Sequence, residues 1–393
     1  MNEVYVCAAK RTPQGSFGGA LKEFSAIDLG VEAVKAALES AKIAPEAVDE
    51  VFMGNVCSAN LGQAPARQVA LRSGISKTTP CTTINKVCAS GMKAIFFGAQ
   101  SIQLGINHVV VCGGMESMSN IPYYLPNHRW GSKYGDAKVV DGLAEDGLKD
   151  SFDQQAMGVY ADAVAAEETI SREAQDQYAI ASYTKATSAF DQGWFEDEIT
   201  PIHIPQRKGA PILMTRDEEY TKVNFDKIPS LRPAFTNDGT ATAANASTIN
   251  DGAAALVLVS KEFLELHKLT PLVKIVGYAD AALPPEKFTV APVESANKIM
   301  KQHSLSFDDI DMFEVNEAFS MVPLVFAKKC QIPLDKINPR GGSVSLGHPL
   351  GASGARIVTT LIHTLRQEKL QKGLASICNG GGGASSLLLS MEY

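Results

Sequence analysis

The sequence has no excess of positive charge: 36 Lys and Arg stand against 43 Asp and Glu, for a formal net charge of −7 and a pI near 5.6. That balance opposes adhesion to nucleic acid or to an anionic membrane, because either needs a basic surface; an anionic substrate must then be met by a local group of cations. An apolar run of membrane-spanning length is also missing. The seven cysteines (Cys7, Cys57, Cys81, Cys88, Cys112, Cys330, Cys378) are odd in number, scattered, and never spaced Cys-x-x-Cys. Neither a disulfide framework nor a zinc site is indicated, and a reducing compartment fits. The opening MNEVYVCAAKRT runs straight into a strand-like segment without a signal core or an Arg/Ser-rich leader, and the closing Ser390-Met391-Glu392-Tyr393 is not a peroxisomal tripeptide. The expectation is a cytoplasmic protein.

What is present is 393 residues, 45% hydrophobic and 20% charged, which is enough to bury more than one core and excludes disorder as the main state. Short apolar runs alternate with longer segments of helical period, the pattern of an α/β protein. A helix is expected over 28–41, capped by Asp28, with Leu29, Val31, Val34 and Leu38 on one face. After it come Val48 to Gly54, the small-residue elbow Cys88-Ala89-Ser90-Gly91, and Val109 to Gly114. The second half repeats the order with a helix over 293–303, then Ile310 to Val315, then Gly351-Ala352-Ser353-Gly354, then Ser376 to Gly380. The interval is 42 residues from Asp49 to Gly91 and 43 from Asp311 to Gly354, which suggests a duplicated βαβ-type unit. Residues 118–247 break the pattern with aromatic, glycine and charged stretches and two helices near 152–168 and 171–192. The organisation read here is 1–117 plus about 248–268 as one half, 118–247 as an inserted covering domain, and 269–393 as the other half.

Four segments could carry chemistry. Cys88 follows an expected strand, 82–87, and precedes a helix whose Met92, Ile95, Phe96, Ala99 and Ile102 form one stripe; unpaired N–H groups at a helix amino end favour thiolate. His348 stands in a bulk-free turn, Gly347 to Gly354, that could present its imidazole to a ligand. Cys378-Asn379-Gly380-Gly381-Gly382-Gly383 lies between two strand-like runs, so backbone N–H groups could reach a ligand closely. It is no phosphate loop, for no Lys-Ser/Thr follows. Asn316-Glu317-Ala318-Phe319 ends another strand, where α/β sheets bind ligands. Each has an ordinary structural explanation when taken alone: a small buried thiol, a surface His-Pro turn, a flexible hairpin, a polar pair capping a helix.

Together and in order, these segments resemble the thiolase family over essentially the whole chain. Asn85 to Ala94 is similar to its nucleophile segment, 316–319 to its Asn-Glu-Ala-Phe motif, 347–354 to its Gly-His-Pro loop, and 378–383 to its Cys-x-Gly-Gly-Gly ending. The resemblance implies a five-layered αβαβα fold of two related halves with a covering loop domain, assembled as homo-oligomeric dimers or tetramers. It implies an acetyl-CoA C-acetyltransferase: His348 takes the proton of Cys88, the thiolate attacks one acyl-CoA, and Cys378 moves a proton at the methyl carbon of the second acetyl-CoA. Asn316, through a water and with His348, and the N–H groups of Cys88 and Gly380 form two oxyanion sites. Acetyl-CoA, acetoacetyl-CoA and CoA are the implied partners, with no nucleic acid and no membrane. No cofactor is obligatory, because coenzyme A is a substrate. Its matches are Tyr183, Lys222, Val223, Asn224, Lys227 and Ser247, with Met157, Phe235, Ala318 and Phe319 near the pantetheine and acyl parts; the two lysines supply the local positive charge. Tyr183, Ala243, Ala244, Ala246 and Val344 resemble the potassium site of a cation-activated branch, backbone carbonyls being suitable ligands. Ala156 stands where many relatives carry His, and Arg340 where Asn is usual.

The alternatives are a longer-chain 3-ketoacyl-CoA thiolase, with the same catalytic set, and a non-catalytic acyl-CoA carrier or scaffold. Two retained cysteines and His348 argue against the carrier. A decarboxylating ketosynthase would want a second His where Asn316 stands.

Overall fold

The computed structural model describes residues 2–392. Its main sheet is built from β1 (Val4–Arg11), β2 (Glu50–Gly54), β3 (Cys81–Ile84), β4 (Val109–Ser117), β5 (Asn250–Ser260), β6 (Val273–Ala282), β7 (Met312–Val315), β8 (Lys372–Asn379) and β9 (Gly383–Ser390), with the two-residue strand Gly15–Ser16 beside β5. The helices that matter here are α1 (Ala26–Ala41), α2 (Pro65–Arg72), α3 (Ser90–Gln103), α4 (Met157–Glu167), α5 (Arg172–Asp191), α6 (Ala291–His303), α7 (Met321–Cys330) and α8 (Leu350–Gln367).

Strand order is β7-β8-β9-β6-β1-β5-β4-β2-β3. Each half has one topology. In the first, β2 runs parallel to β4, β4 antiparallel to β5, and β5 antiparallel to β1. In the second, β7 runs parallel to β8, β8 antiparallel to β9, and β9 antiparallel to β6. The halves join through a short antiparallel pairing of Val4–Val6 with Val273–Ile275.

Period-two alternation then makes the layers. On β5, Ala254, Leu256 and Leu258 face one core, while Ala253, Ala255, Val257 and Val259 face another. The first core lies between the halves: it holds the α3 stripe (Met92, Ile95, Phe96, Ala99, Ile102), Ile357, Val358 and Leu361 of α8, and Ala375, Ile377, Leu387 and Leu389 of the opposite half. The second is covered by α1 and α2. A third, with Leu374, Cys378 and Leu388, is covered by α6 and α7. The result is the five-layered αβαβα arrangement.

At the centre, α3 and α8 meet at their amino ends. A Cβ on Gly91 would stand 2.9 Å from Gly351 O and Ala355 N, and one on Gly354 would stand 2.5 Å from Met92 N. The two elbow glycines, at matching places in the halves, therefore allow the approach that brings the Cys88 turn to the His348 loop.

Two local expectations shift. Ser25, not Asp28, caps α1: its side chain accepts from Asp28 N, and Asp28 closes a capping box by accepting from Ser25 N, so the helix starts at Ala26. The strand expected over 82–87 runs from Cys81 to Ile84, because Val87 has a φ of 47° and the chain turns there. The helices of the 118–247 region cover 157–167 and 172–191, and that region also carries two small hairpins.

Candidate active site

The turn between β3 and α3 is held by its own side chains. Ser90 Oγ accepts from Lys86 N (2.8 Å) and donates to Val87 O (2.6 Å), while Asn85 Oδ1 accepts from Val87 N (2.9 Å). These bonds keep Val87 in the left-handed region, which costs a β-branched residue roughly 1–3 kcal/mol. Lys86 and Lys93 both pair with Asp280 of β6, at 2.5 and 2.6 Å, so the nucleophile turn is clamped to the other half. Cys88, a half-buried residue with a free thiol, follows in this turn.

It opens on a cavity of about 350 Å³ whose wall includes Cys88, His348 and Gly380. Met157, Phe235, Ser247, Ala318 and Phe319 line the same space, with Phe288 and Leu148. Gly380 begins the turn of the β8–β9 hairpin, where Asn379 pairs with Gly383. Gly381 and Gly382 have φ of 81° and 86° there, and a Cβ on Gly382 would stand 2.1 Å from Leu283 O. The N–H groups of Gly380 and of Cys88 itself favour negative charge on the Cys88 sulfur, and they are the donor pair an acyl oxyanion on that sulfur requires.

The titratable groups rest uncharged. Burial pushes the Cys88 thiol up to about 12, against the pull of the Gly380 and Cys88 N–H groups. The expectation that the helix amino end favours thiolate is therefore outweighed by desolvation, and the thiol needs a base. Burial, then the charge of Arg356, lowers His348 to about 3, so its imidazole is neutral. Its tautomer follows from hydrogen bonds. Ser353 Oγ donates to Pro349 O at 2.9 Å and lies 2.6 Å from His348 Nδ1, so its one proton is engaged and Nδ1–H is the donor to it. Nε2 then carries the free lone pair, is buried, and has no partner among the described residues. The His348 N–H donates to Asn250 Oδ1 at 2.9 Å, and Gly347, with φ of 114°, makes the turn.

Cys378, at the end of β8, is fully buried, and desolvation followed by the neighbouring Cys88 pushes its thiol far up. Asn316 extends β7 beside β8, its N–H donating to Ser376 O at 2.9 Å. Its Oδ1 accepts from Ser343 Oγ at 2.6 Å, while Nδ2 is buried without a partner among the described residues. It does not cap α7, whose N-cap is Ser320. Glu317 instead accepts from Tyr178, Ser182, Asn338 and the Val344 N–H.

The other residues expected to bind ligand are distributed as follows. Lys222, Phe235, Ala243, Ala246 and Ser247 line a hollow of about 420 Å³ that shares Phe235, Ala246 and Ser247 with the catalytic cavity. Lys222 Nζ meets Ser16 Oγ. Tyr183 and Val344 are buried in one small core against which Val223 packs, and Asn224 and Lys227 are exposed on the neighbouring turn. Burial, then Glu219 and Glu317, pushes the Tyr183 phenol up. Ala244 stands in the turn 242–246, where Thr242 O takes the N–H groups of Asn245 and Ala246 and leaves the carbonyls of Ala243, Ala244 and Ala246 outside that pairing. Ala156 lines the catalytic cavity just before α4. Arg340 is buried with its guanidinium 5.0 Å from the Trp194 ring, while Asn338, two residues earlier, bonds both N–H and C=O of Val315.

Sequence reasoning passed over Ser353, Asn250 and Glu116. Ser353 was visible as a hydroxyl five residues after His348, and nothing in its spacing gave it a role. Glu116 is fully buried and accepts from the N–H groups of Val56, Cys57 and Gly351 and from Asn55, so it ties the His348 loop to the strand-end loop beyond β2; burial raises it to about 7. Among the described residues, no group of three or more His, Cys, Asp or Glu could hold a metal ion, and no helix is long and apolar enough to cross a membrane.

Family models for the thiolase N-terminal domain and the thiolase C-terminal domain match residues 4–262 and 269–391. The chain is 51% identical over 387 residues to a cytosolic acetyl-CoA acetyltransferase of Gibberella zeae, covering 98% of each. It is 50% identical over 390 residues to the mitochondrial acetyl-CoA acetyltransferase of Rattus norvegicus, covering 99% of this chain and 91% of the relative. Its structure is similar to that of the Acat5 thiolase of Ascaris suum in complex with coenzyme A, with a TM-score of 0.95, 46% identity and 99% of each chain covered.

Proposed function

The chain belongs to the thiolase family, and from that premise we propose that it is an acetyl-CoA C-acetyltransferase, which reversibly joins two acetyl-CoA to give acetoacetyl-CoA and CoA. The observation that carries the chemistry is the convergence on one apolar cavity of Cys88, Gly380 and His348, whose buried Nε2 has no partner among the described residues. His348 Nε2 accepts the Cys88 proton as sulfur attacks the thioester carbonyl. The N–H groups of Cys88 and Gly380 hold the oxyanion, and its collapse expels the CoA thiolate, which takes the proton back from His348. A second acetyl-CoA then enters. As its own proton passes to His348 Nε2, Cys378 becomes the thiolate base that removes a methyl proton, while Asn316 Nδ2, through a water, and the Nε2–H of the His348 imidazolium stabilise the enolate oxygen. The carbanion attacks acetyl-Cys88; collapse forms acetoacetyl-CoA and frees the Cys88 thiolate, which takes its proton from His348 Nε2. Thiolysis is the reverse.

The nucleotide end of coenzyme A lies along the adjoining hollow, where Lys222 faces the phosphates, with Lys227, Asn224, Val223 and Tyr183 on the surrounding turn and helix. Potassium is an activator in this reading. The Tyr183 phenol feels the charges of Glu219 and Glu317, and the 243–246 carbonyls lie outside their own turn's bonding, a hard-oxygen donor set that suits a monovalent cation. Dimeric or tetrameric assembly and a cytoplasmic location, the latter supported by the Gibberella relative and not by the rat one, complete it. Intact-mass measurement after mixing with acetyl-CoA tests the central step. An acetyl group on Cys88, absent in Cys88→Ser together with turnover, is the expected result, and normal acetoacetyl-CoA cleavage by Cys88→Ser would end the proposal.

A further inference from the structure

Behind Asn316 stands a chain of hydrogen bonds that ends on a buried cation. Asn316 Oδ1 accepts from Ser343 Oγ at 2.6 Å, and Ser343 Oγ accepts from Arg356 Nη2 at 2.7 Å. Arg356, on α8, is 1% exposed, and its Nε and Nη1 have no hydrogen-bond partner among the described residues. The facing carboxylate, Glu314, is 3.9 Å from Nη1, and neither of its oxygens has a hydrogen-bond partner among the described residues. A guanidinium buried this way, with its carboxylate beyond hydrogen-bond reach, is not explained as a stabilising ion pair. Its directed contact is the one to Ser343.

The direction matters because an amide has two nearly isosteric orientations, one with a donor and one with an acceptor toward the site. A guanidinium can only donate. A hydroxyl that accepts from it turns its own proton away, toward Asn316, and that proton requires the carbonyl end of the amide. The NH₂ end is thereby left facing outward, and Asn316 Nδ2 is buried and lacks a partner among the described residues. We propose that Ser343 and Arg356 are positioning residues: the Arg356 guanidinium orients the Ser343 hydroxyl, which fixes the Asn316 amide with its N–H groups toward the thioester oxygen of the second acyl-CoA. The same cation is also felt at His348, where after burial it lowers the imidazole pKa. The inference rests on the reading of Asn316 as a donor that acts on that oxygen through a water.

The test compares Ser343→Ala, Ser343→Thr, Asn316→Ala and the Ser343→Ala/Asn316→Ala double variant by steady-state kinetics and by mass detection of acetyl-Cys88. Ser343→Ala is expected to lower kcat for condensation and thiolysis roughly 10- to 100-fold, a part of what outright removal of an oxyanion donor costs, with KM nearly unchanged. Acetylation of Cys88, which uses the other oxyanion site, is expected to persist and reports that the variant is folded. Ser343→Thr keeps the hydroxyl and restores most of kcat. In the Asn316→Ala background the Ser343 change costs less than about twofold more, as for residues acting as a unit. Additive losses, or acetylation falling in parallel with turnover, overturn the inference. If Asn316→Ala is slow and Ser343→Ala is not, the relay fails while the Asn316 reading stands; if Asn316→Ala turns over normally, that reading itself fails. Should Ser343→Ala not accumulate as folded protein, Ser343→Cys, a poorer donor of similar size, carries the same expectation, and a wild-type kcat in it overturns the relay.

Discussion

Replacing Ser353 by Ala removes one oxygen atom about two shells from the substrate, yet it acts on the identity of the catalytic base. In the native loop, Ser353 Oγ gives its proton to Pro349 O (2.9 Å) and receives one from His348 Nδ1 (2.6 Å), which leaves Nε2 unprotonated toward the cavity. Without the hydroxyl, Nδ1–H becomes a buried donor with no acceptor, a loss of about 1–3 kcal/mol for that tautomer. The other tautomer, with the proton on Nε2, avoids the penalty and cannot accept from Cys88. At 1.4 kcal/mol per decade, kcat/KM should fall about 5- to 150-fold. Thiolysis of acetoacetyl-CoA reads turnover, and the rate of Cys88 alkylation by iodoacetamide reads thiolate supply; both should fall together in Ser353→Ala and recover in Ser353→Thr. Activity within about twofold of wild type would show that the tautomer is set by something other than Ser353.

Cys378→Ala should still acquire a radioactive acetyl group in a single turnover while condensation and thiolysis fall roughly 10²–10⁴-fold, the usual size of an acid–base contribution; equal loss of labelling would mean Cys378 is needed for acylation or folding. Potassium, at matched ionic strength, should raise activity or lower the apparent requirement for coenzyme A relative to sodium, and identical kinetics in the two salts would remove the cation from the account.

The fold class and the four motif segments were readable because each depends on neighbours in the chain: strand residues, then small residues, then a helical stripe. What was not readable depends on contacts between distant segments. The sheet becomes continuous through Val4–Val6 against Val273–Ile275, a pairing across some 270 residues that leaves no local pattern. The strand before Cys88 stops early because Asn85 and Ser90 bond the backbone around Val87. Ser353, Ser343 and Asn250 are ordinary polar residues until the fold sets them against His348 and Asn316. The charge state of Cys88 went the other way from the expectation for a helix amino end, because that argument counts dipoles and N–H groups and leaves out the desolvation that only the assembled cavity imposes.

That desolvation has a consequence for stability that separates His348 from the acids around it. His348 is lowered to about 3 from an ordinary 6.5. As pH falls below 6.5, the unfolded chain binds a proton that the folded site refuses, so this residue's contribution is present above 6.5 and is lost as pH falls toward 3. Glu116, raised to about 7, and Glu314, raised to about 8, have the opposite sign: the folded chain keeps protons the unfolded chain releases, so their contributions are present below 4.5 and are lost as pH rises through 7 and 8. The three slopes overlap in the whole protein, and a difference measurement isolates one. Between pH 5 and pH 7 the His348 contribution should change by about 2 kcal/mol, from 1.5 pH units at 1.36 kcal/mol each. Urea unfolding of wild type and His348→Asn at both values reads it: relative to the variant, wild type should gain that amount at pH 7. An equal gap at both pH values would mean that His348 titrates in the folded chain as it does in the unfolded one. The imidazole would then be partly protonated near neutrality, and the cavity would not be holding it ready as the base for Cys88.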